Sequence, residues 1–148
     1  MGDAVGITNL RASWLILIVD DSLTTRSVLR GALEANGARV LEADNGRDGL
    51  WRARSEQVDL VVCDIHMPVM GGLEMIQELR KLPGYGETPV FVLTSDATLS
   101  RAAQGKNAGA DAWVVKPVNP NSLWKAVEKA LLGKSAPASR KPPANDGQ

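Results

Sequence analysis

The chain has 148 residues, which predicts one domain with a hydrophobic core and leaves little room for a second catalytic domain. Lysine plus arginine and aspartate plus glutamate both number 17, so the zero net charge predicts neither a nucleic-acid partner nor an anionic membrane surface. Cys63 is the single cysteine, which excludes an internal disulfide and a cysteine-rich metal site and fits a reducing compartment.

The start of the chain predicts no targeting or membrane segment. Residues 1–13 contain no basic region followed by a long apolar run, and we expect them to form a flexible N-terminal segment. The longest apolar run, residues 14–19, is far shorter than the ~20 residues that a membrane helix needs. We therefore expect a cytoplasmic protein with no membrane partner.

Five short apolar runs follow one another along the chain, and most are continuous, as in strands buried on both faces. They are residues 15–19, 38–41, 60–63, 90–93 and 112–115. Segments with helical apolar spacing lie between and after them, with thinner apolar stripes at 46–54 and 99–108. Gly105 lowers the helix propensity of the latter by roughly 1 kcal/mol relative to alanine. The alternation predicts an α/β fold, a doubly wound five-stranded parallel sheet with five helices on its two faces.

Residues typical of helix ends support this division. Ser22 is the predicted N-cap of the first helix, Asn119 opens the last helix, and Gly133 closes it. From residue 134 the composition shifts to serine, alanine, proline, lysine and asparagine without apolar periodicity, so residues 134–148 are predicted to be a disordered tail. The folded domain is then residues 14–133.

Polar side chains follow four of the predicted strands, at the carboxyl ends where open parallel sheets bind their ligands. They are Asp20 and Asp21, Asp64, Thr94 with Ser95, and Lys116. One aspartate after a strand is commonly a helix cap, but a set spread over four strand ends is much harder to explain in that way. Three clustered carboxylates repel one another unless protons or a cation intervene. Mg²⁺ suits such a site, because it prefers oxygen ligands and is often held by one or two carboxylates plus phosphate oxygens.

These residues lie in motifs that make the chain resemble a bacterial response-regulator receiver domain, most closely the single-domain chemotaxis (CheY-like) type. The motifs are VDDSLTTR, CDIHMPVMGG, VFVLTSDA and AWVVKPVNP. Each motif alone is a weak signal, but the ordered set is highly specific and spans about residues 14–132. The resemblance implies the flavodoxin-like strand order 2-1-3-4-5.

The resemblance also implies a metal site. Asp21 and Asp64 would bind Mg²⁺ directly, together with the backbone carbonyl of His66, while Asp20 would act mainly through water. For the His66 side chain, an exposed position without a role of its own is the simpler interpretation.

Asp64, Thr94 and Lys116 would be the catalytic residues, with Asp64 as the phosphorylated nucleophile. In phosphoryl transfer negative charge spreads over three equatorial oxygens, so catalysis is mainly positioning and charge neutralisation. The hydroxyl of Thr94 and the ammonium of Lys116 would each contact the phosphoryl group. The peptide bond between Lys116 and Pro117 is expected to be cis, as in the family. Asp64 needs no general base, because a carboxylate is already ionised at pH 7.

Thr94 and Trp113 would form the conformational switch. In the family an aromatic side chain at the position of Trp113 swings inward when the threonine moves toward the phosphate. Tyrosine or phenylalanine is commoner there, and a half-buried structural tryptophan is an equally good interpretation. Trp124 on the last helix is predicted to be either an exposed contact or partly buried in the core.

The leading functional hypothesis is a phospho-acceptor regulator that is no enzyme apart from its self-catalysed phosphorylation and dephosphorylation. The resemblance implies a sensor histidine kinase as phosphodonor, a downstream protein target such as a flagellar motor component, and a monomer. One alternative is a phosphate sink for a histidine kinase. Another class is a small phosphatase of the haloacid dehalogenase type, which needs an aspartate where this chain has Ser22. A flavin site or a phosphate-independent interaction module fits the carboxylates less well.

Overall fold

The computed structural model describes residues 14–96 and 109–134. The predicted N-terminal segment 1–13, the predicted helix 99–108 and residues 135–148 of the predicted tail lie outside the described residues. The strands are β1 (Leu15–Val19), β2 (Arg39–Ala43), β3 (Leu60–Asp64), β4 (Val90–Thr94) and β5 (Ala112–Val115). The helices in the described ranges are α1 (Leu23–Glu34), α2 (Gly46–Ser55), α3 (Gly72–Lys81) and α4 (Pro120–Lys134).

The five strands form one parallel sheet in the order β2-β1-β3-β4-β5. This confirms the predicted flavodoxin-like order. Every residue of β1, β3 and β4 is buried, which explains why these strands read as continuous apolar runs. The strands β2 and β5 lie at the two edges and are only partly buried. Within the described ranges, no helix has both the length and the apolar character needed to cross a membrane.

Two hydrophobic layers cover the sheet, because successive side chains of each strand point to opposite faces. One layer packs β1, β3 and β4 against α2 and α3, and it includes Met75 and Trp113. The other packs the opposite face against α1 and α4. There Trp14 and Trp124 pack together with ring centroids 5.8 Å apart, and both are at least nine-tenths buried. Trp124 is therefore a core residue and not an exposed contact.

The predicted helix caps are present at both N-termini that the sequence marks. Ser22 Oγ accepts a hydrogen bond from the Thr25 backbone N–H at 3.2 Å, and Asn119 Oδ1 accepts one from the Ser122 N–H at 2.9 Å. The last helix differs slightly from the prediction. It continues through Gly133 to Lys134, because a glycine in the final turn lowers helix stability only modestly.

Gly72 lets the first turn of α3 lie directly against the end of β3. A Cβ atom built on Gly72 would be 2.1 Å from the backbone carbonyl oxygen of Asp64, so no larger residue fits without a backbone shift. The Gly72 N–H donates to the carbonyl of Ile65 at 2.8 Å. On the neighbouring helix, a Cβ on Gly46 would lie 2.7 Å from the carbonyl oxygen of Met70. These two close approaches fix the loop that leads from β3 into α3.

Gly72→Ala is expected to lower the free energy of unfolding by about 1–3 kcal/mol, because the added methyl group meets a backbone carbonyl that cannot rotate away. Gly31→Ala is the matched control in α1, where no atom lies within 4 Å of the added Cβ. The control should raise the free energy of unfolding by about 0.5–1 kcal/mol through helix propensity. Urea denaturation followed by circular dichroism measures both, and equal effects of the two substitutions would contradict the close approach at Gly72.

Candidate functional site

The sheet brings the polar residues of four strands to one edge, since the carboxyl ends of parallel strands lie on the same side. Asp20 follows β1, Asp64 ends β3, Thr94 ends β4 and Lys116 follows β5. Asp20, Asp64 and Thr94 are buried with exposed fractions of 0%, 7% and 1%. Polar groups are rarely buried this deeply without partners, so their surroundings indicate what the site can do.

Three carboxylates meet at this edge. Asp20, Asp21 and Asp64 each present an oxygen, and these atoms lie within 4.8 Å of one another. Backbone groups orient the two buried members, because the Ser22 N–H donates to Asp20 Oδ1 at 2.8 Å and the Ile65 N–H donates to Asp64 Oδ1 at 2.9 Å. Asp21 is exposed. The donor set is entirely carboxylate oxygen, which fits a hard cation such as Mg²⁺.

Lys116 places its ammonium group between the two buried carboxylates. Nζ lies 2.9 Å from Asp20 Oδ2 and 3.4 Å from Asp64 Oδ2. The Lys116–Pro117 peptide bond is cis, as the resemblance implied, and the Lys116 N–H donates to the carbonyl of Thr94 at 2.7 Å. Burial acts to lower the pKa of Lys116, but hydrogen bonding and attraction to Asp20 and Asp64 outweigh it and raise the pKa. The side chain therefore stays a cation at neutral pH.

Asp64 has a raised pKa. Burial is the largest cause and the negative charge of Asp20 adds to it, while Lys116 and the Ile65 N–H act in the opposite direction. A carboxylate in this position is less stable in its charged form than a solvated one. A second positive group beside Asp64, in addition to Lys116, would stabilise the charged form.

The remaining predicted site residues occupy distinct positions. Thr94 Oγ1 accepts a hydrogen bond from the Asp96 N–H at 3.0 Å, beside the end of β4. The His66 side chain is exposed, in the loop that follows β3. Trp113 has an exposed fraction of 8%, so it is buried in the α2–α3 layer rather than half-buried.

The loop after β3 has one unusual backbone conformation. Val69 has a φ angle of 69°, and the Met70 N–H donates to the carbonyl of Pro68 at 2.7 Å, which closes a three-residue γ-turn. A β-branched residue rarely adopts a positive φ. The loop keeps this conformation because both ends are tied down, through the Gly72 N–H to Ile65 and the Gly46 N–H to Met70.

Arg26 is a site residue that sequence reasoning missed. Its Nη1 donates to the backbone carbonyl of Asp20 at 2.6 Å, and its Nε pairs with Glu42 at 2.8 Å. It thereby joins α1 and β2 to the backbone of the acidic group. The sequence feature that could have identified Arg26 is its position one helical turn after the Ser22 cap, at the end of the VDDSLTTR motif.

Comparisons with known proteins identify one family to which this chain is similar. Residues 16–128 match the response regulator receiver domain family. Protein PilH of Pseudomonas aeruginosa is 38% identical over 118 residues, which are 80% of this chain and 98% of that protein. Response regulator MprA of Mycolicibacterium vanbaalenii is 38% identical over 122 residues, which are 82% of this chain but 52% of that protein.

Solved structures give the same result for the fold. The chemotaxis response regulator CheY4 of Vibrio cholerae matches with a TM-score of 0.74 and 35% identity, covering 80% of this chain and 98% of that one. Receiver domains generally are regulators that take phosphate from histidine kinases, bind Mg²⁺ at a cluster of aspartates and act on downstream targets. On the combined match of sequence, fold and acidic cluster, the chain belongs to the response regulator receiver domain family and is CheY-like.

Proposed function

We propose that this chain is a phospho-acceptor regulator of a chemotaxis-type two-component system, in which Mg²⁺-dependent phosphorylation of Asp64 switches the binding of a partner protein. The observation that carries the proposal is the position of Asp64. Its carboxylate belongs to a three-aspartate group and lies 3.4 Å from the Lys116 ammonium. A nucleophile, a cation site and a positive side chain are thus assembled at one point.

Asp21 and Asp64, with the backbone carbonyl of His66, would hold Mg²⁺, and Asp20 would contact it through water. The all-oxygen donor set fits this ion. Bound there, Mg²⁺ supplies charge neutralisation for the phosphoryl oxygens. The contribution of Arg26 and of the Ser22 N–H is to keep Asp20 fixed while the charge in the site changes.

Asp64 would act through Oδ2, since Oδ1 accepts the Ile65 N–H and Oδ2 faces Lys116. Oδ2 forms a bond to phosphorus while the bond from phosphorus to the donor breaks, and the electron pair of that bond leaves with the donor. Hydrolysis by water later reverses the modification. A histidine kinase would be the donor, in line with the family.

Lys116 and Thr94 would bind the phosphoryl oxygens. Lys116 is suited to this because its raised pKa keeps it charged and its ammonium already lies beside Asp64. Thr94 would turn its hydroxyl from the Asp96 N–H toward the phosphoryl group. The vacated space beside β4 would then accept a shift of Trp113, and Thr94 and Trp113 together would form the switch.

We propose that the domain comprises residues 14–133 and that it acts as a cytoplasmic monomer. Its target is a protein such as a flagellar motor component. The likeness to a chemotaxis response regulator supports this choice of pathway.

Incubation with acetyl phosphate and Mg²⁺ should add one phosphoryl group to the protein, measured by intact-mass spectrometry. The gain should vanish in Asp64→Asn and when EDTA removes Mg²⁺, because both the nucleophile and the cation are required. Glu78→Gln, which removes a carboxylate from α3 outside the site, should keep the gain. A phosphoryl group that persists in Asp64→Asn would contradict the proposal.

Asp64→Asn should also raise the free energy of unfolding at pH 7, by on the order of 1 kcal/mol, since the burial and repulsion that raise the pKa of Asp64 are relieved. The wild-type penalty exists only when Asp64 is charged, because its folded pKa is above its unfolded pKa. The difference between variant and wild type should therefore be small at acid pH and grow as the pH rises through the range where Asp64 ionises. Denaturation curves across pH, without Mg²⁺, measure it. If Asp64→Asn is less stable than wild type at pH 7, this prediction is wrong.

Phosphorylation should change the tryptophan emission spectrum through Trp113. The Trp113→Phe variant should accept the phosphoryl group but lose most of this spectral change, since the other three tryptophans lie outside the switch. Trp51→Phe is the control, because Trp51 is exposed on α2 and its replacement should leave the change in place. If the spectral change is undiminished in Trp113→Phe, Trp113 is not part of the switch.

A further inference from the structure

Trp51 has no role in the proposed function, yet it is unusually exposed. Its exposed fraction is 62%, whereas those of Trp14, Trp113 and Trp124 do not exceed 8%. All four tryptophans of the chain lie in the described ranges. Tryptophan is among the residues most enriched in the centres of binding interfaces, because its large ring gains much from contact.

Trp51 lines a shallow cleft that is widely open to solvent. The cleft has a volume of about 580 Å³, within the range of binding clefts. It is formed by residues of α1, β2, α2 and the turn between the last two, chiefly Arg26, Glu42, Asp44, Asp48, Trp51 and Arg52. Among these residues Arg26 also contacts the acidic site, through the backbone carbonyl of Asp20.

Two carboxylates that line the cleft have no salt bridge within the described residues. Arg26 and Arg30 both pair with Glu42, since Nε of Arg26 lies 2.8 Å from Glu42 Oε1 and Nη1 of Arg30 lies 3.1 Å from Glu42 Oε2. Asp44 and Asp48 have no such partner there, and Arg52 also lines the cleft.

The two carboxylates are held in place by one side chain. Asn45 Nδ2 donates to Asp44 Oδ1 at 2.8 Å and to Asp48 Oδ2 at 3.2 Å, while Asn45 Oδ1 caps α2 by accepting the Asp48 N–H at 2.9 Å. Asn45 is itself almost fully buried. A pair of acids fixed in this way needs little reordering when it binds a cation.

We propose that this cleft is a docking site for an arginine side chain of a partner protein. A guanidinium can stack on the indole of Trp51 and donate to the carboxylates of Asp44 and Asp48, and its planar shape suits both contacts better than an ammonium does. The proposal does not depend on the phosphorylation of Asp64, because the guanidinium would contact side chains of α2 and of the turn before it.

Because Trp51 is the exposed tryptophan, its fluorescence can report binding in the cleft. Acrylamide quenches exposed tryptophans, so in this chain the quenching reports Trp51 almost alone. The probe is an acetylated and amidated tetra-arginine peptide titrated into the full chain. It should protect Trp51 from quenching at lower concentrations than the matching tetra-lysine peptide does.

Two substitutions in the cleft should act in opposite directions. Asp44→Asn should weaken tetra-arginine binding by about threefold to fivefold, the effect of losing one exposed charge pair. Arg52→Gln should strengthen it by a similar factor, because it removes the competing cation. Glu78→Gln and Lys81→Gln are the matched controls, since these two residues pair with each other at 3.1 Å on α3 and make the same changes in net charge. Neither control should alter binding.

Several results would overturn the proposal. Absence of protection by tetra-arginine would show that the cleft does not bind a guanidinium. Equal effects of the α3 controls would show that the peptide responds only to the net charge of the chain. Stronger protection by tetra-glutamate would indicate an acidic partner bound by the arginines of α2. Protection without peptide that grows with protein concentration would place a second copy of the chain in the cleft. If Trp51 is protected from acrylamide without peptide at every protein concentration, the chain's own Arg140 and Lys141 would be the occupants of the cleft.

Discussion

The balance of charge among Asp20, Asp21, Asp64 and Lys116 is the constraint on which the site depends. Carboxylate oxygens within 4.8 Å of one another repel strongly when buried, and burial makes each charge harder to maintain. Lys116 relieves part of this repulsion from within the chain, and a divalent cation would relieve the rest. In the proposed function this unfavourable state of Asp64 would favour the binding of Mg²⁺, because the charged carboxylate gains from a positive neighbour.

Backbone packing keeps this strained group in place. Gly72 and Gly46 allow carbonyl groups of Asp64 and Met70 to lie where any side chain would collide. The γ-turn at Val69 persists because these contacts fix both of its ends. Rigid surroundings of this kind are needed where a site holds like charges together, since otherwise the side chains would move apart. The stability of the core thus supports an arrangement that is locally unfavourable.

The cleft at Trp51 and the acidic site share one side chain. Arg26 contacts Glu42 in the cleft and the backbone carbonyl of Asp20 in the site. The Asp20 N–H also donates to the carbonyl of Ala43 at 3.0 Å, at the end of the strand that borders the cleft. The two surfaces are therefore adjacent, and the Arg26 side chain contacts both of them.

The sequence by itself determined the α/β class, the five strands and the identity of the polar residues at their ends. It could do so because continuous apolar runs mark strands buried on both faces and because parallel strands deliver their last residues to one edge. The caps Ser22 and Asn119 were also predictable, since capping is a local interaction. Only the tertiary structure decided that Trp113 and Trp124 are buried, that Trp51 is exposed and that Arg26 holds Asp20. These outcomes depend on which helix packs on which face and at what distance, and local residue patterns carry no information about contacts between distant segments.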